Sequence, residues 1–375
     1  MTEQETLYMM ALTRVPALNL ASLRVLIAEM GSATAVYENR KSLREVLSAA
    51  SQKTLDALAS MDCYLECAKQ EWDFCQQKHI QCLGLHDDAY PQRLRDCTDA
   101  PVLLYYLGSA DLNACHIVSM VGTRQITTYG KDLCRSFVRD LREVCPDVII
   151  VSGLAYGVDV HCHRAALDEG LDTVGILAHG LNQIYPRHHR ETAIQMASHG
   201  GLLTEYMSGT SIDKRNFVQR NRIVAGISDA VIIVESAEKG GSLITADIAF
   251  SYDRPVWAFP GRVYDNRSAG CNSLISTNRA SLLTGAVDFC QAMGWADDRQ
   301  HKNLLTKGVQ QEFLADYTEE EQRVLQVLSL ADEKQINILS VETDIPMGRL
   351  SSLLFTLEMK GAVQMLIGGK YRIRR

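Results

Sequence analysis

Hydrophobic positions near the start of the chain recur at helical spacing, in two short groups separated by a glycine at position 31. The positions are Leu18, Leu20, Leu23, Leu26 and Ile27, followed by Leu43, Val46 and Leu47. Patterns of this length predict short helices. We therefore expect a small helical domain over residues 1–78.

The hydrophobic pattern changes after about residue 81, where short unbroken apolar runs alternate with helical patterns. The runs are Ile117–Val121, Val148–Val151, Thr173–Leu177, Ala230–Val234 and Val256–Phe259. Helical patterns lie between them, for example over 131–144 and 159–169. Strands that are apolar throughout are typical of a parallel sheet covered on both faces. The order predicts an α/β domain over residues 79–295, with a Rossmann-like, doubly wound parallel sheet.

The last part of the chain has a third pattern. Residues 296–317 are polar without clear periodicity, and we interpret them as a linker. A capping box at Thr318 and Glu321 then precedes an apolar-periodic helix. Two further helical patterns and a hairpin pattern around Gly368 and Gly369 complete the chain. Three helices followed by a hairpin predict a winged helix over residues 318–375.

Composition excludes several classes of protein. No apolar stretch approaches the roughly 20 residues of a membrane span, and the acidic N-terminus does not resemble a signal peptide. Eleven cysteines are scattered without C-x-x-C spacing, which favours reduced thiols and a cytoplasmic protein. The net charge of −7 gives no sign of nucleic-acid binding, so any such function requires a local basic patch. One patch is the C-terminus, with Lys360, Lys370, Arg372, Arg374 and Arg375.

Gly-rich turns follow several of the predicted strands. They are Gly122-Thr123-Arg124, Ser152-Gly153, His179-Gly180 and Lys239-Gly240-Gly241-Ser242. Ligands of open parallel sheets bind at the carboxyl ends of the strands, where glycine lets the backbone approach a phosphate. Together these turns predict a site for an anionic ligand.

The turns do not match the usual nucleotide motifs. Gly130-Lys131-Asp132 has the wrong spacing for a P-loop, and the first strand-helix turn lacks G-x-G-x-x-G, so ATP and NAD are disfavoured. Histidines at 161, 163, 179, 188 and 189 lack a matching cysteine or acidic ligand set, so we expect no metal site and no cofactor. We interpret Asp159 as a helix cap. Glu235 is interpreted as structural, with ligand binding as the alternative.

The segment 213–228 is rich in cations. Lys214, Arg215, Arg220 and Arg222 lie within nine residues of each other, together with Phe217. Cations that contact phosphates beside an aromatic that stacks on a base are what single-strand binding requires. The alternative is an amphipathic helix with a solvated basic face. The neighbouring glycine turns favour the binding interpretation.

A series of motifs occurs in a fixed order over about residues 85–290. They are Val121–Arg124, Ser152–Asp159, Tyr185-Pro186, Gly201–Tyr206, Phe217–Gly226, Gly241–Ala246, Pro260-Gly261 and Gly270–Ile275. In this order they resemble the DNA processing protein A family (DprA, also called Smf). The resemblance implies a protein that binds and protects single-stranded DNA and loads RecA recombinase onto it during natural transformation. It also implies a homodimer, no catalysis, a helix-hairpin-helix or SAM-like N-terminal domain and a C-terminal winged helix.

The resemblance also implies a set of site residues. Arg124 matches the main phosphate contact, Lys214 and Phe217 match a base-holding pair, and Arg187 stands where another basic contact is expected. The candidate single-stranded DNA site comprises Gly122, Thr123, Arg124, Ser152, Gly153, Arg187, Lys214, Phe217, Arg220, Asn221, Arg222, Gly241 and Ser242. Arg222 has a structural alternative, pairing with a buried carboxylate. The expected dimer contacts are Leu274, Ile275, Leu282 and Leu283.

Two other functions fit parts of the sequence. Gly240–Thr245 partly resembles the turn of nucleotide phosphoribohydrolases, although Lys239 replaces a proline and no catalytic glutamate follows. The winged helix is also compatible with a regulator that binds duplex DNA through residues 347–360. That helix carries few cations, which weakens this alternative.

Overall fold

A computed structural model describes residues 1–16, 18–44, 51–295, 317–329, 333–366 and 369–373. The chain divides into two compact units, Met1–Ala296 and Asp297–Arg375. Several predicted features lie outside the described residues: the linker apart from Tyr317, the helical positions Val46 and Leu47, Gly368 of the hairpin, and the cations Arg374 and Arg375. Within the described residues, no helix combines the length and apolarity needed to cross a membrane.

Five helices begin the first unit: α1 (Glu3–Thr13), α2 (Leu20–Met30), α3 (Ala33–Glu38), α4 (Gln52–Ala59) and α5 (Asp62–Gln77). Thr2, Asn19, Ser32 and Ser51 each accept a backbone amide at a helix start, as N-cap residues do. Gly31 ends α2 in the left-handed conformation, with φ 83°. The first predicted helical pattern and its glycine stop therefore correspond to α2, whereas Leu43 of the second pattern lies in a turn.

These helices do not pack as a separate body. Their core includes Leu26, Leu58 and Met61, and it continues into Leu103 and Tyr105 of the adjoining sheet. A buried carboxylate, Glu71 of α5, accepts the backbone amide and the hydroxyl of Ser208 at 2.9 and 3.1 Å. The predicted domain boundary near residue 78 therefore falls inside one compact unit.

The main sheet has nine strands in the order β1-β2-β6-β5-β4-β3-β7-β8-β9. They are β1 (Gln81–Gly84), β2 (Leu103–Gly108), β3 (Ile117–Val121), β4 (Ile149–Ser152), β5 (Thr173–Ile176), β6 (Gly200–Thr204), β7 (Ala230–Ile233), β8 (Val256–Ala258) and β9 (Ser281–Leu282). Strands β3 to β9 pair in parallel, whereas β2 is antiparallel to β6 and β1 is antiparallel to β2. The predicted strands match β3, β4, β5, β7 and β8 to within one residue at each end.

Helices cover both faces of this sheet, as the all-apolar strands require. They are α6 (Gln92–Arg95), α7 (Thr128–Val144), α8 (Val158–Asp168), α9 (Arg190–Ser198), α10 (Lys214–Gly226), α11 (Gly241–Ser251), α12 (Ala269–Ser276) and α13 (Ala286–Ala292), with a 3₁₀ turn at Arg187–His189. One core packs α7, α8 and α13 against the sheet, and the other packs α10, α11 and α12. The predicted Rossmann-like, doubly wound fold is confirmed.

The sequence pattern missed β1, β2, β6 and β9. The case of β6 has a clear cause, because it begins with Gly200 and Gly201 and so lacks a β-branched signal. Gly200 has φ 125°, and a Cβ there would lie 2.0 Å from the carbonyl oxygen of Thr173. Close approach between neighbouring backbones therefore explains glycine at this position.

The second unit contains α14 (Glu319–Ser329), β10 (Lys334–Gln335), α15 (Ile336–Thr343), α16 (Met347–Met359), β11 (Val363–Leu366) and β12 (Lys370–Ile373). Its three strands pair in the order β10-β12-β11. Thr318 and Glu321 form the predicted capping box, with reciprocal backbone bonds of 3.3 and 2.8 Å. The predicted winged helix is confirmed.

The helix expected to enter a DNA groove has few free cations. Arg349 of α16 is paired with Glu320 at 2.8 Å. Lys360, at the end of α16, is paired with Glu321 at 2.9 Å. Both pairings weaken the interpretation of α16 as a duplex-binding helix, because the charges are already neutralised within the unit.

A buried histidine links α8 to the centre of the sheet. His163 is fully buried, and its Nδ1 lies 2.7 Å from the hydroxyl of Thr173. That hydroxyl donates to the carbonyl of Ile150 at 2.8 Å, so Nδ1 of His163 acts as the donor. Burial, with smaller contributions from the neighbouring His189 and Arg220, lowers the pKa of His163 to about 3.

This histidine makes the stability of the unit depend on pH. A lowered pKa in the folded state means that stability is complete above the unfolded pKa of about 6.5 and falls as the pH decreases toward 3. We expect His163 to contribute a loss of about 2 kcal/mol between neutral pH and pH 5. Urea unfolding over this range should show a shallower pH dependence for His163→Asn, which keeps the donor to Thr173. The control His86→Asn, at an exposed position, should follow the wild type; equal slopes for all three proteins would contradict the expectation.

Candidate nucleic-acid interface

A cavity of about 720 Å³ opens at the carboxyl edge of the sheet. Its floor lies where the winding of the sheet reverses, because β4, β5 and β6 follow β3 toward one edge and the chain then returns to place β7 on the other side of β3. This switch point is the usual ligand site of doubly wound sheets. The lining includes Gly122, Thr123 and Arg124 after β3, Gly153 after β4, and Gly241 and Ser242 after β7.

The turn after β3 is held by a buried glutamate. The carboxylate of Glu235 accepts the backbone amide of Thr127 at 2.8 Å and its hydroxyl at 2.7 Å. The carbonyl of Glu235 accepts the amide of Thr123 at 2.7 Å. With both ends of the turn fixed, Arg124 between them remains exposed at the cavity. These contacts support the structural interpretation of Glu235.

The turn after β4 is held by a buried pair of opposite charges. The carboxylate of Asp159 accepts the amides of Gly153 and Ala155 at 3.2 and 3.3 Å. The guanidinium of Arg220 donates to the carbonyl of Gly153 at 2.7 Å and to that of Ile176. Burial raises the pKa of Asp159, and the neighbouring Arg220 opposes that shift.

The prediction that Asp159 caps its helix is wrong in its geometry. The N-cap position of α8 is Gly157, which has no side chain to cap with. Asp159 lies inside the first turn and accepts amides from the preceding loop. The carboxylate therefore shapes the loop that borders the cavity, and the positive end of the helix favours its charge.

One wall of the cavity is a face of α10. Lys214, Phe217, Val218 and Asn221 line it, at the three- and four-residue spacing of a single helical face. Asp213 caps the helix by accepting the amide of Arg215 at 2.7 Å. Lys214 is exposed, and it has no ion-pair partner among the described residues.

Aromatic rings and a cation meet at this wall. The guanidinium of Arg124 lies 5.5 Å from the ring centroid of Phe217, within the range of a cation–π contact. The ring of Tyr185 lies 5.9 Å from that of Phe217, tilted by 63°. The structure therefore brings Arg124, Lys214 and Phe217 together, although Arg124 and Phe217 are far apart in the chain. Tyr185 belongs to the Tyr185-Pro186 motif, but the sequence did not predict it as a site residue.

The third turn supplies backbone groups. Gly240 and Gly241 begin α11, and the first amides of a helix lack partners within it. The hydroxyl of Ser242 donates to that of Ser236 at 2.9 Å, which fixes the turn from inside. No atom lies within 4 Å of a Cβ built on Gly241, so this position faces open space at the cavity.

Three predicted site residues lie outside the cavity lining. Ser152 is buried and donates its hydroxyl to the carbonyl of Met120 at 2.6 Å. Arg222 forms a two-bond pair with Glu205, at 2.9 and 2.6 Å, which favours its structural alternative. Arg187 is exposed on the 3₁₀ turn that follows Tyr185-Pro186.

The residues expected at a dimer contact divide into two groups. Leu274 and Leu283 are buried in the two cores of the sheet. Leu282, on the edge strand β9, is 48% exposed, and Ile275 is half-buried. Any contact between copies at this corner would therefore use Leu282 and Ile275.

Two of the histidines considered as metal ligands contact backbone carbonyls instead. Nδ1 of His189 lies 2.9 Å from the carbonyl of Leu154, and Nδ1 of His179 lies 3.0 Å from that of Gly180. In the part of the chain that the structure describes, no three His, Cys, Asp or Glu residues group as metal ligands would. All eleven cysteines are free thiols.

The fold and the site define a class: a Rossmann-like protein whose switch-point cavity combines exposed cations, aromatic rings and helix-start amides. The family described as "DNA recombination-mediator protein A" matches residues 81–294, and the family described as "DprA winged helix domain" matches residues 313–369. The chain therefore belongs to the DNA processing protein A family, DprA or Smf, as the sequence motifs indicated.

Relatives agree with this assignment. The chain is 37% identical over 202 residues to DNA processing protein DprA of Streptococcus pneumoniae, covering 54% of this chain and 70% of the relative. The X-ray structure of DprA from that organism matches with a TM-score of 0.66 and 28% identity, over 76% of this chain and 97% of the other. DNA processing protein A from Helicobacter pylori matches with a TM-score of 0.52 and 30% identity, over 58% and 97%. That structure is described as giving insight into a "unique single-stranded DNA binding mode".

Two glycines of the site should respond differently to a methyl group. A Cβ on Gly153 would lie 2.4 Å from the Arg220 guanidinium, so Gly153→Ala must displace that side chain from its two carbonyl acceptors. We expect it to lower the free energy of unfolding by about 1–3 kcal/mol. The matched change Gly241→Ala has open space and should leave stability unchanged or slightly higher. Urea titration of both variants tests this, and a fully stable Gly153→Ala would contradict it.

Proposed function

We propose that this protein binds single-stranded DNA in the switch-point cavity. The observation that carries the proposal is the wall on which Lys214, Phe217 and Arg124 converge, with Phe217 half-buried and both cations exposed. Cations paired with an aromatic face form a platform for a nucleotide, because the phosphate and the base are held at once. The amides of Gly241 and Ser242 at the start of α11 add backbone donors for phosphate oxygens.

The geometry favours a single strand over a duplex. A base can stack on Phe217 only if it has left its own stack, and bases in a duplex present edges rather than faces. The wall of α10 lies inside a cavity of about 720 Å³ and is not a protruding helix. The description of the Helicobacter pylori relative supports the same ligand class.

The proposal extends to what the bound strand is used for. The family description as a recombination mediator supports a role in which the protein protects single-stranded DNA and loads RecA recombinase onto it, as in natural transformation. We further propose that it acts as a homodimer in the cytoplasm, where its eleven free thiols stay reduced. Two cavities in one dimer would raise avidity for a long strand.

We propose no catalytic step for this protein. Asp159 is the one carboxylate among the described lining residues, and it is occupied by two backbone amides. His163, His179 and His189 are buried and lie outside the lining. Release of free base from a nucleoside monophosphate would instead favour the phosphoribohydrolase alternative.

Removing one cavity cation should weaken binding, whereas removing its neighbour should not. We expect Arg124→Ala and Lys214→Ala each to raise the Kd for labelled oligo-dT by about tenfold, the loss of one charge-assisted contact. Each should also reduce the slope of the logarithm of the binding constant against the logarithm of salt concentration, the salt slope, by about 0.7. Arg215→Ala is the matched control, because Arg215 is 92% exposed, outside the lining and next to Asp213. Fluorescence anisotropy across a salt series measures both quantities. If either cavity variant binds with the wild-type Kd, the assignment of the cavity as the single-stranded DNA site is wrong.

The recombinase role has a separate test. On a single strand coated with a single-strand-binding protein, we expect this chain to shorten the lag of RecA filament assembly, measured by DNA-dependent ATP hydrolysis. Arg124→Ala should lose the effect because the strand must first be held, and Arg215→Ala should keep it. If Arg124→Ala binds DNA poorly yet loads RecA fully, loading does not pass through the cavity.

A further inference from the structure

A loop beside the cavity presents an aromatic ring that the rest of the molecule leaves almost untouched. We refer to residues 260–268, between β8 and α12, as the rim loop. Tyr264 in this loop is 99% exposed and Val263 is 83% exposed, the two highest values among the large hydrophobic side chains described. Large apolar side chains at such exposure commonly mark a binding surface.

The rim loop is firmly built. Backbone atoms of Gly261 exchange two hydrogen bonds with the side-chain amide of Asn272, both at 3.1 Å, and Tyr129 donates to the carbonyl of Pro260 at 2.8 Å. The amide of Asp265 donates to the carbonyl of Arg262 at 3.0 Å. That bond closes a β-turn with Val263 and Tyr264 at its two central positions. The backbone that carries Tyr264 is therefore fixed in a turn, and its ring projects into solvent.

The loop is joined to the cavity through one residue. Arg267 donates to the carbonyl of Gln125 and, at 3.2 Å, to its side-chain oxygen. Gln125 lines the cavity and directly follows Arg124. The rim loop thus borders the part of the cavity where Arg124 stands, and a strand that leaves the cavity past Arg124 meets it next.

We infer that the rim loop is a second nucleotide subsite, in which Tyr264 stacks on a base and Arg262 contacts a phosphate of the strand leaving the cavity. This inference rests on the proposed function of the cavity. Arg262 is exposed, and it has no ion-pair partner among the described residues. The subsite repeats the chemistry of the α10 wall, where Lys214 and Phe217 supply a cation and an aromatic ring three residues apart.

The size and chemistry of the rim loop favour a nucleotide over a protein partner. Its exposed apolar part is two side chains, far below the roughly 800 Å² per partner of a stable protein interface. A single ring beside a cation is sufficient for one base and one phosphate. A second copy of this chain is the alternative occupant, and sedimentation detects it as a change in mass.

The test is a length series. Oligo-dT of about 4 to about 16 nucleotides spans the site sizes of single-strand-binding folds. The shortest strands should fill only the cavity, so Tyr264→Ala should bind them with wild-type Kd. Longer strands should reach the rim loop, and there Tyr264→Ala should raise Kd at least about fivefold, the loss of one stacked base. Arg262→Ala should weaken only the longer strands and reduce their salt slope by about 0.7.

Two conservative variants separate stacking from bulk. Tyr264→Phe keeps the ring and should bind long strands as the wild type does. Tyr264→Leu keeps apolar volume without an aromatic face and should behave like Tyr264→Ala. No stability change is expected for any of them, because the side chain is 99% exposed. Thermal unfolding and sedimentation should accompany every titration.

The outcomes distinguish this inference from the proposed function. If the wild type binds no length, or Arg124→Ala binds all lengths normally, the cavity assignment itself fails. If Arg124→Ala weakens every length while Tyr264→Ala affects none, or all equally, only the rim-loop subsite is overturned. A change in sedimenting mass with Tyr264→Ala, without length dependence, identifies the loop as a contact between copies and also overturns the subsite.

Discussion

The geometry of the site depends on the buried guanidinium of Arg220. It donates to the carbonyl that follows β4 and to the last carbonyl of β5, so it attaches α10 to the carboxyl edge of the sheet. Together with the core packing of Ile223 and Val224, this attachment positions the α10 wall. A buried cation is unfavourable unless it is compensated, and Asp159 and the two carbonyls supply that compensation. Glycine at position 153 leaves room for the guanidinium.

The same arrangement gives an acidic chain a locally basic cavity. The net charge of −7 belongs to the whole sequence, whereas the cavity is bordered by Arg124, Lys214 and Arg220. Asp159 lies beside them with a pKa raised by burial. Local potential in a recess with low-dielectric walls, and not total charge, governs the approach of a phosphate.

Much of the fold could be predicted because its strands are apolar on both faces and separated by glycine turns. Strand β6 was missed because Gly200 and Gly201 carry no side-chain pattern: glycine allows close backbone approach at position 200 and leaves room for the ring of Tyr106 at position 201. The sequence alone could not distinguish the roles of Arg220 and Arg222. Arg220 borders the cavity, whereas Arg222 pairs with Glu205. Leu274 and Leu283 were expected at a dimer contact but are buried in the core, because the identity of a hydrophobic residue does not show whether it lies in the core or on the surface. Tyr185 could not be predicted as a site residue because its contact with Phe217 is visible only in the folded structure.

The two ends of the α10 wall are held by different parts of the unit. Arg220 attaches the helix to the carbonyls of Gly153 and Ile176, and the last turns of α10 contain the fully buried Ile223 and Ala225. Its first turn, with Lys214, is reached through a segment whose Ser208 is held by Glu71 of the N-terminal helices. The α10 wall is therefore anchored to the sheet near one end and connected to the N-terminal helices at the other. Those helices, although distant in sequence from the residues of the cavity, thus form part of the support of one of its walls.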